Sequence, residues 1–173
     1  MPFKVTFKIY EPGKKAPNIT AFDAKYAKIE LRSLQNKMPL ARMTVDVEPI
    51  NLTKEEEYVY LIYRYLKASE KYVADGKKRA DLDACKSLAW SIDEQNHKIS
   101  QQLDHNPELL KQKEGTPGYK FFRDVITWRF CWHNWMDSRK RNDIDKQTKK
   151  EVTKEYFEME DEINRYVKKF IGL

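Results

Sequence analysis

Residues 117–136 read PGYKFFRDVITWRFCWHNWM and contain the most apolar helical pattern of this chain. One stripe recurs at steps of three and four residues, which is the spacing of one face of an α-helix. The stripe consists of Phe121, Val125, Trp128, Trp132 and Trp135, and Phe122, Ile126, Phe130 and Met136 widen it. A helix that is apolar on several faces belongs in the middle of a structure. We predict that the three tryptophans are buried between helices, whereas a base-stacking platform would need exposed rings.

Two more helices precede this one in the chain. Thr53 and Glu56 have the spacing of a capping box, which predicts a helix that runs to Asp75 and stops at Gly76. A second helix is indicated by a heptad pattern formed by Leu82, Cys85, Ala89, Ile92, Asn96, Ile99 and Leu103. Asn96 lies in this apolar seam, where it could anchor a ligand, although a buried amide that sets the register between helices is commoner.

Candidate capping residues mark the starts of three helical segments in the C-terminal half. Asn106-Pro107 and Thr116-Pro117 each join a capping residue to a proline at the first helical position. The last helix has a heptad pattern of its own, formed by Val152, Tyr156, Met159, Ile163, Val167 and Phe170. It begins either at Asp143 or at the capping box of residues 148–151.

The N-terminal 50 residues have the alternation of half-buried β-strands. Apolar residues alternate with polar ones over residues 3–9, 28–32 and 42–48. Three such strands predict an antiparallel meander whose apolar face the helices cover. The predicted fold is therefore α+β, with an N-terminal three-stranded antiparallel sheet packed on a C-terminal up-down four-helix bundle. We expect a single domain over 1–173, made of a β-meander over 1–50 and the bundle over 51–173.

The composition indicates a protein of the reducing cytoplasm. Cys85 and Cys131 are the only cysteines, and both fall in helical apolar patterns that predict buried, reduced thiols. The N-terminus has no apolar core of a signal peptide, and no apolar run reaches the roughly 20 residues of a membrane span. Apolar residues make up 40% and charged residues 35% of the chain, with a net charge of +6. A basic balance is typical of proteins that meet acidic partners.

Catalytic and cofactor motifs are weak. Cys131 and His133 are separated by one residue, and the chain lacks the clustered spacing of a zinc site. Asp46 and Glu48 share the outward face of a strand, which leaves a small metal-dependent nuclease as a third hypothesis. Glycine-rich phosphate loops are absent from a chain with five glycines. We therefore predict no catalytic residues, no metal and no cofactor.

Two clusters of basic residues are the main candidates for a binding surface. In an up-down bundle the first and third turns between helices lie at the same end. The first turn contains Lys77, Lys78 and Arg79, and the third contains Arg139, Lys140 and Arg141 beside Lys146, Lys149 and Lys150. We call these nine residues the basic pole. Cations close to a helix start are disfavoured by the helix dipole, which favours an external anionic partner for the first cluster. A solvated surface is the alternative, because six nearby aspartates dilute the charge.

A second basic surface runs along the first helix. Tyr60, Arg64, Lys67 and Lys71 share one face, with Tyr63 beside them, and we call these five residues the first-helix stripe. Aromatic and basic side chains together suit single strands or RNA loops. They also suit an ordinary surface with tyrosines at the rim of a core.

These patterns favour a non-enzymatic binding protein that engages nucleic acid or a nucleoprotein through basic surfaces. Binding would be electrostatic and weakly sequence-specific, because no recognised helix-turn-helix or zinc module is visible. The alternative is a protein–protein adaptor or inhibitor that docks a host protein through its sheet edge or a bundle face. Small size, few glycines and a mixed charged surface suit an accessory protein of a phage or mobile element. The sequence does not indicate an oligomeric state.

Overall fold

The computed structural model describes residues 2–10, 18–21, 32, 33, 36 and 42–173. The protein is α+β and predominantly helical. Its contacts divide the chain into two compact units, one formed by Met1–Glu57 with Lys168–Leu173 and the other by Tyr58–Val167.

Three antiparallel strands form a small sheet. They are β1 (Phe3–Tyr10), β2 (Asn18–Ala21) and β3 (Arg42–Pro49), with β1 in the centre. The predicted alternation of β1 is confirmed, because Phe3, Val5, Phe7 and Ile9 are all buried. Phe3 also meets Phe170, near the C-terminus of the chain, edge to face with ring centroids 6.4 Å apart.

The predicted middle strand is the main error in this region. Arg32 is helical, and the rest of the predicted strand over 28–32 lies outside the described residues. The partner on the other side of β1 is instead β2, which pairs Ile19 with Phe7. Two apolar residues in alternation are too short a pattern to separate a strand from a helix.

The outward face of the sheet is charged and internally paired. Lys8 Nζ lies 2.7 Å from Asp46 Oδ2, and Lys4 Nζ lies 3.9 Å from Glu48 Oε2. Hydrogen bonding to Asp46 raises the pKa of Lys8. The two acids that motivated the nuclease hypothesis therefore each have a lysine across the strand pair.

The first helix, α1 (Lys54–Ala74), begins at the predicted capping box. The Glu56 N–H donates to Thr53 Oγ1 over 3.3 Å, and the Thr53 N–H donates to Glu56 Oε2 over 3.0 Å. At its end, Gly76 has φ 74° and Lys77 has φ 64°. The Lys77 N–H donates to the Tyr72 carbonyl over 2.8 Å, which closes the last turn.

Three further helices follow, and two of them begin at the predicted caps. They are α2 (Arg79–Asp104), α3 (Pro107–Lys113) and α4 (Pro117–Lys140). Asn106 Oδ1 accepts from the Leu109 N–H over 3.1 Å, and Thr116 Oγ1 accepts from the Tyr119 N–H over 3.2 Å. These bonds satisfy N–H groups that the first turn of a helix leaves without partners.

The start of α5 (Lys146–Ile171) differs from both predicted alternatives. Asp145 is the residue whose Oδ1 accepts from the Thr148 N–H, over 2.7 Å. That bond lowers the pKa of Asp145. Asp143 binds Arg141 instead, and Thr148 lies within the first turn. Three acceptors in six residues compete for one helix start, and periodicity alone does not rank them.

Aromatic contacts set the directions of the long helices. Tyr58 of α1 packs against Phe121 and Phe122 of α4, and Tyr65 packs against Trp128 at 5.4 Å. Contacts between α1 and α4 therefore advance together along both helices. Phe121 stacks on Tyr166 of α5 at 4.1 Å, whereas Trp135 stacks on Tyr156 at 4.8 Å, so α4 and α5 run in opposite directions.

The prediction for the three tryptophans is confirmed only for Trp128, which has no exposed surface. Trp132 and Trp135 are half-buried, and Phe130 of the widened stripe is 64% exposed. The Arg129 guanidinium lies over the Trp132 ring at 4.7 Å. An apolar pattern on more than half of a helix identifies a central helix, but it does not identify which edge of that pattern faces solvent.

The cap of α4 gives a direct test of local structure. Thr116→Ala removes the side-chain acceptor for the Tyr119 N–H, so we expect the free energy of unfolding to fall by about 1 kcal/mol. Thr127→Ala is the matched control, since Thr127 is exposed in the middle of α4 and should change stability by less than about 0.5 kcal/mol. If both variants unfold at the same midpoint concentration of urea, Thr116 does not stabilise the protein as the cap of α4.

Candidate functional site

The first half of the basic pole lies at the start of α2. Lys77, Lys78 and Arg79 are exposed, and within the described part of the chain none of them forms an ion pair. Lys78 is the N-cap of α2 and makes no side-chain capping bond. Thr53, Asn106, Thr116 and Asp145 cap the other helices with side-chain oxygens. The start of α2 therefore has three cations and no side-chain acceptor for the N–H groups of its first turn.

The second half of the pole is partly neutralised. Arg141 forms a bidentate pair with Asp143 over 2.9 and 2.6 Å and lies 3.7 Å from Asp137. This hydrogen bonding lowers the pKa of Asp143. Lys149 Nζ donates to the Arg141 carbonyl over 2.6 Å. Sequence reasoning expected six nearby aspartates to dilute the charge of the pole, but it did not identify which cations they pair with, because side-chain pairing across a turn has no periodic signal.

Arg139 and Lys140 remain available in this half. Both are exposed, and neither forms an ion pair with the residues that the structure describes. The Arg139 guanidinium lies 5.1 Å from the Trp135 ring centroid, an arrangement that orients the side chain and leaves its charge intact.

The directions of α1 and α4 place both halves of the basic pole at the same end of these helices. α1 continues nine residues beyond Tyr65 and α4 continues twelve beyond Trp128, the residue that Tyr65 contacts. At a rise of about 1.5 Å per residue, the two C-terminal ends lie roughly 14 and 18 Å past that contact. Lys71, near the end of α1, lies 3.7 Å from Asp81 at the start of α2, so the first cluster lies at the same end.

Most side chains of the first-helix stripe already have partners within the protein. Tyr63 is buried and Tyr60 is half-buried, and their rings stack at 6.2 Å. Lys67 Nζ donates to Glu70 over 3.0 Å and lies 5.9 Å from the Tyr63 ring centroid, while Lys71 pairs with Asp81. Arg64 is the exposed member without an ion pair among the described residues. The stripe thus presents fewer available groups than the pole.

A groove between α2 and α4 was not predicted from the sequence. Its volume is about 300 Å³, and eight residues line it: Asp93, Asn96, His97, Ser100, Ile126, Arg129, Phe130 and His133. We call it the α2–α4 groove. Arg129 is 5% exposed, and its Nε and Nη2 donate to Asp93 over 2.8 and 3.0 Å. His133 Nε2 lies 3.9 Å from Asp93 Oδ2.

Asn96 forms the inner edge of this groove and confirms the buried amide predicted at this position. It is 8% exposed, and its Oδ1 accepts from the Tyr58 hydroxyl over 2.6 Å. Its side-chain nitrogen makes no hydrogen bond to the described residues and is not among the fully enclosed unpaired atoms. The Asn96 amide nitrogen is therefore an unpaired donor on a residue that lines the groove.

One exposed aromatic residue lines the groove, and a second lies on α2 outside the groove lining. Phe130 lines it at 64% exposure, and Trp90 of α2 is 76% exposed. Exposed tryptophan is uncommon in protein surfaces, and it concentrates in binding sites. Sequence reasoning missed Trp90 because this residue lies outside the heptad of α2. A tryptophan at an outward position of that heptad was the available signal.

The two thiols are buried and unpaired, as predicted. Desolvation raises the pKa of both Cys85 and Cys131, which suppresses the reactive thiolate near neutral pH. Among the residues that the structure describes, no group of three or more His, Cys, Asp or Glu side chains is placed to hold a metal ion.

The chain was compared with protein families, curated proteins and solved structures. No protein-family model, curated protein or solved structure matches this chain significantly. Of the helices described in the structure, none combines the length and apolar character that a membrane crossing requires.

Proposed function

We propose that this is a non-enzymatic binding protein that engages nucleic acid or a nucleoprotein through the basic pole. The observation that carries the proposal is the start of α2, where Lys77, Lys78 and Arg79 are exposed and lack carboxylate partners among the described residues. We infer further that the four long helices form an up-down bundle, supported by the aromatic contacts that fix α4 parallel to α1 and antiparallel to α5.

The helix dipole favours an anion at the start of α2. The first N–H groups of a helix carry a partial positive charge that attracts anions and repels cations. Three cations at this position are therefore unfavourable by themselves, and Asp81 in the first turn offsets only part of their charge. A phosphate group would accept from the free N–H groups and pair with the lysines at once. Arg139 and Lys140 extend the same charge toward a longer polyanion.

A salt titration tests the pole. Lys77→Gln, Lys78→Gln and Arg79→Gln together should weaken binding of a mixed-sequence oligonucleotide with little dependence on sequence. For a single strand the salt slope should flatten by about two, since each lost phosphate contact contributes roughly 0.7. The fold should be unchanged by circular dichroism because the three side chains are exposed.

The control removes three charges elsewhere. Lys111→Gln, Lys113→Gln and Lys120→Gln change the net charge equally at α3 and the start of α4. An equal loss of affinity in both triple variants would mean that total charge, rather than the pole, drives binding. An unchanged slope in the Lys77–Arg79 variant would move the site away from the pole.

A second candidate is a protein–protein adaptor or inhibitor. The exposed rings of Trp90 and Phe130 favour it, because exposed aromatic residues are typical anchors of protein interfaces. Lack of nucleic-acid binding by the wild type at low salt would make this candidate the stronger one. For either function, the buried unpaired thiols suit a reducing compartment such as the cytoplasm.

A further inference from the structure

We propose that the ligand is single-stranded nucleic acid, with phosphates at the basic pole and unstacked bases on Trp90, on Phe130 and in the α2–α4 groove. The inference rests on the proposed function and deepens it by choosing single strands over duplexes. It joins three features of α2 and α4: free cations at one end, two exposed aromatic rings, and a groove with unpaired hydrogen-bond donors.

These features share one face of α2. Trp90, Asp93 and His97 are spaced at i, i+3 and i+7, so they lie along one stripe of the helix. Asp93 and His97 line the groove, and Trp90 therefore stands on the stripe between the groove and the N-terminus of α2. Arg79 begins α2 eleven residues before Trp90, a rise of about 16 Å. A strand of a few nucleotides covers that distance.

The opposite wall is built by α4. Ile126, Phe130 and His133 recur at i, i+4 and i+7 and all line the groove. Because Asp93 bonds Arg129 and lies near His133, this stretch of α4 faces the middle of α2. α4 then continues toward Arg139 and Lys140 at its C-terminus. Both walls of the groove thus lead to the pole.

The groove suits a base better than a phosphate. Its charged pair, Asp93 with Arg129, is internally neutralised, so no free cation is fixed at its floor. The walls offer apolar surface from Ile126 and Phe130, and the edges offer the Asn96 amide, the Ser100 hydroxyl and two imidazoles. Ring faces and amide donors recognise an unstacked base. A duplex hides its base faces, so only a single strand can use Trp90 and Phe130 in this way.

The test compares single strands and duplexes of the same sequence. Trp90→Leu and Phe130→Leu each remove one exposed ring, and we expect each to weaken single-strand binding by about 5- to 150-fold. The salt slope should stay as in the wild type, because stacking releases no counterions. Phe157→Leu, which removes a 47% exposed ring on α5, is the control. It should lower affinity less than either substitution, because Phe157 contacts the pole only through the Trp135 ring beside Arg139. Melting temperatures of all three variants establish that the fold is intact.

The outcomes separate this inference from the proposed function. Single-strand affinity that falls further in the Trp90 and Phe130 variants than in the Phe157 variant supports it. Equal affinity for duplex and single strand, or no effect of either substitution, overturns it, while a salt slope that responds to the Lys77–Arg79 variant keeps the pole. No binding of either form at low salt overturns both proposals and favours a protein partner for the exposed rings.

Discussion

Trp128→Ala is expected to lower the free energy of unfolding by about 3–5 kcal/mol, the range for truncating a fully buried aromatic side chain. Trp128 has no exposed surface, and its ring meets Tyr65 edge to face at 5.4 Å. Removing the indole opens a cavity between α1 and α4. Urea denaturation followed by circular dichroism measures the loss.

Trp128→Phe is the matched control for this prediction. Trp128 Nε1 is buried without a hydrogen-bond partner among the described residues, so phenylalanine keeps the edge-to-face contact and removes an unsatisfied donor. We expect it to cost less than half of the alanine change. A loss below about 1 kcal/mol for Trp128→Ala would mean that this helix is not central to the helical unit.

Asp93→Ala is expected to cost about 3 kcal/mol, since it leaves the Arg129 guanidinium buried without its carboxylate. The Arg129 side chain is 6% exposed, whereas that of Asp93 is 40% exposed. Because Arg129 is more deeply buried than Asp93, losing the carboxylate should destabilise the protein more than losing the guanidinium. Arg129→Met leaves a carboxylate that water can reach and fills the same space, so it should cost distinctly less.

The double variant sharpens this test. Asp93→Ala with Arg129→Met removes both charges, and its stability should exceed that of Asp93→Ala alone. A double variant that is less stable than Asp93→Ala alone would contradict the stranded Arg129 charge as the source of the loss. Equal losses for the two single variants would contradict the burial difference between the partners.

Local signals in the sequence predicted much of the helical part of the chain. Thr53 and Thr116 act as caps because the preference for a side-chain acceptor is a one-turn interaction that needs no tertiary context. Asn96 was identified as a buried amide because it interrupts a heptad. Its partner, the Tyr58 hydroxyl, lies 38 positions away and could not be inferred from spacing.

The candidate site was only partly predictable for the same reason. The positions of Lys77, Lys78 and Arg79 at a helix start follow from the stop at Gly76, and the structure keeps them exposed. The pairing of Arg141 with Asp143 depends on the conformation of a short turn, which periodicity does not describe. The α2–α4 groove arises from the packing of two helices, so its residues carry no common motif.

Nucleic-acid binding can be measured by the fluorescence anisotropy of a labelled, mixed-sequence single-stranded oligonucleotide titrated with the protein. We expect saturable binding at low salt, with an affinity that falls linearly with salt on logarithmic axes. The slope should flatten when Lys77, Lys78 and Arg79 are neutralised and remain when Lys111, Lys113 and Lys120 are neutralised. An anisotropy that stays at the value of the free oligonucleotide at low salt would contradict nucleic-acid binding by this protein.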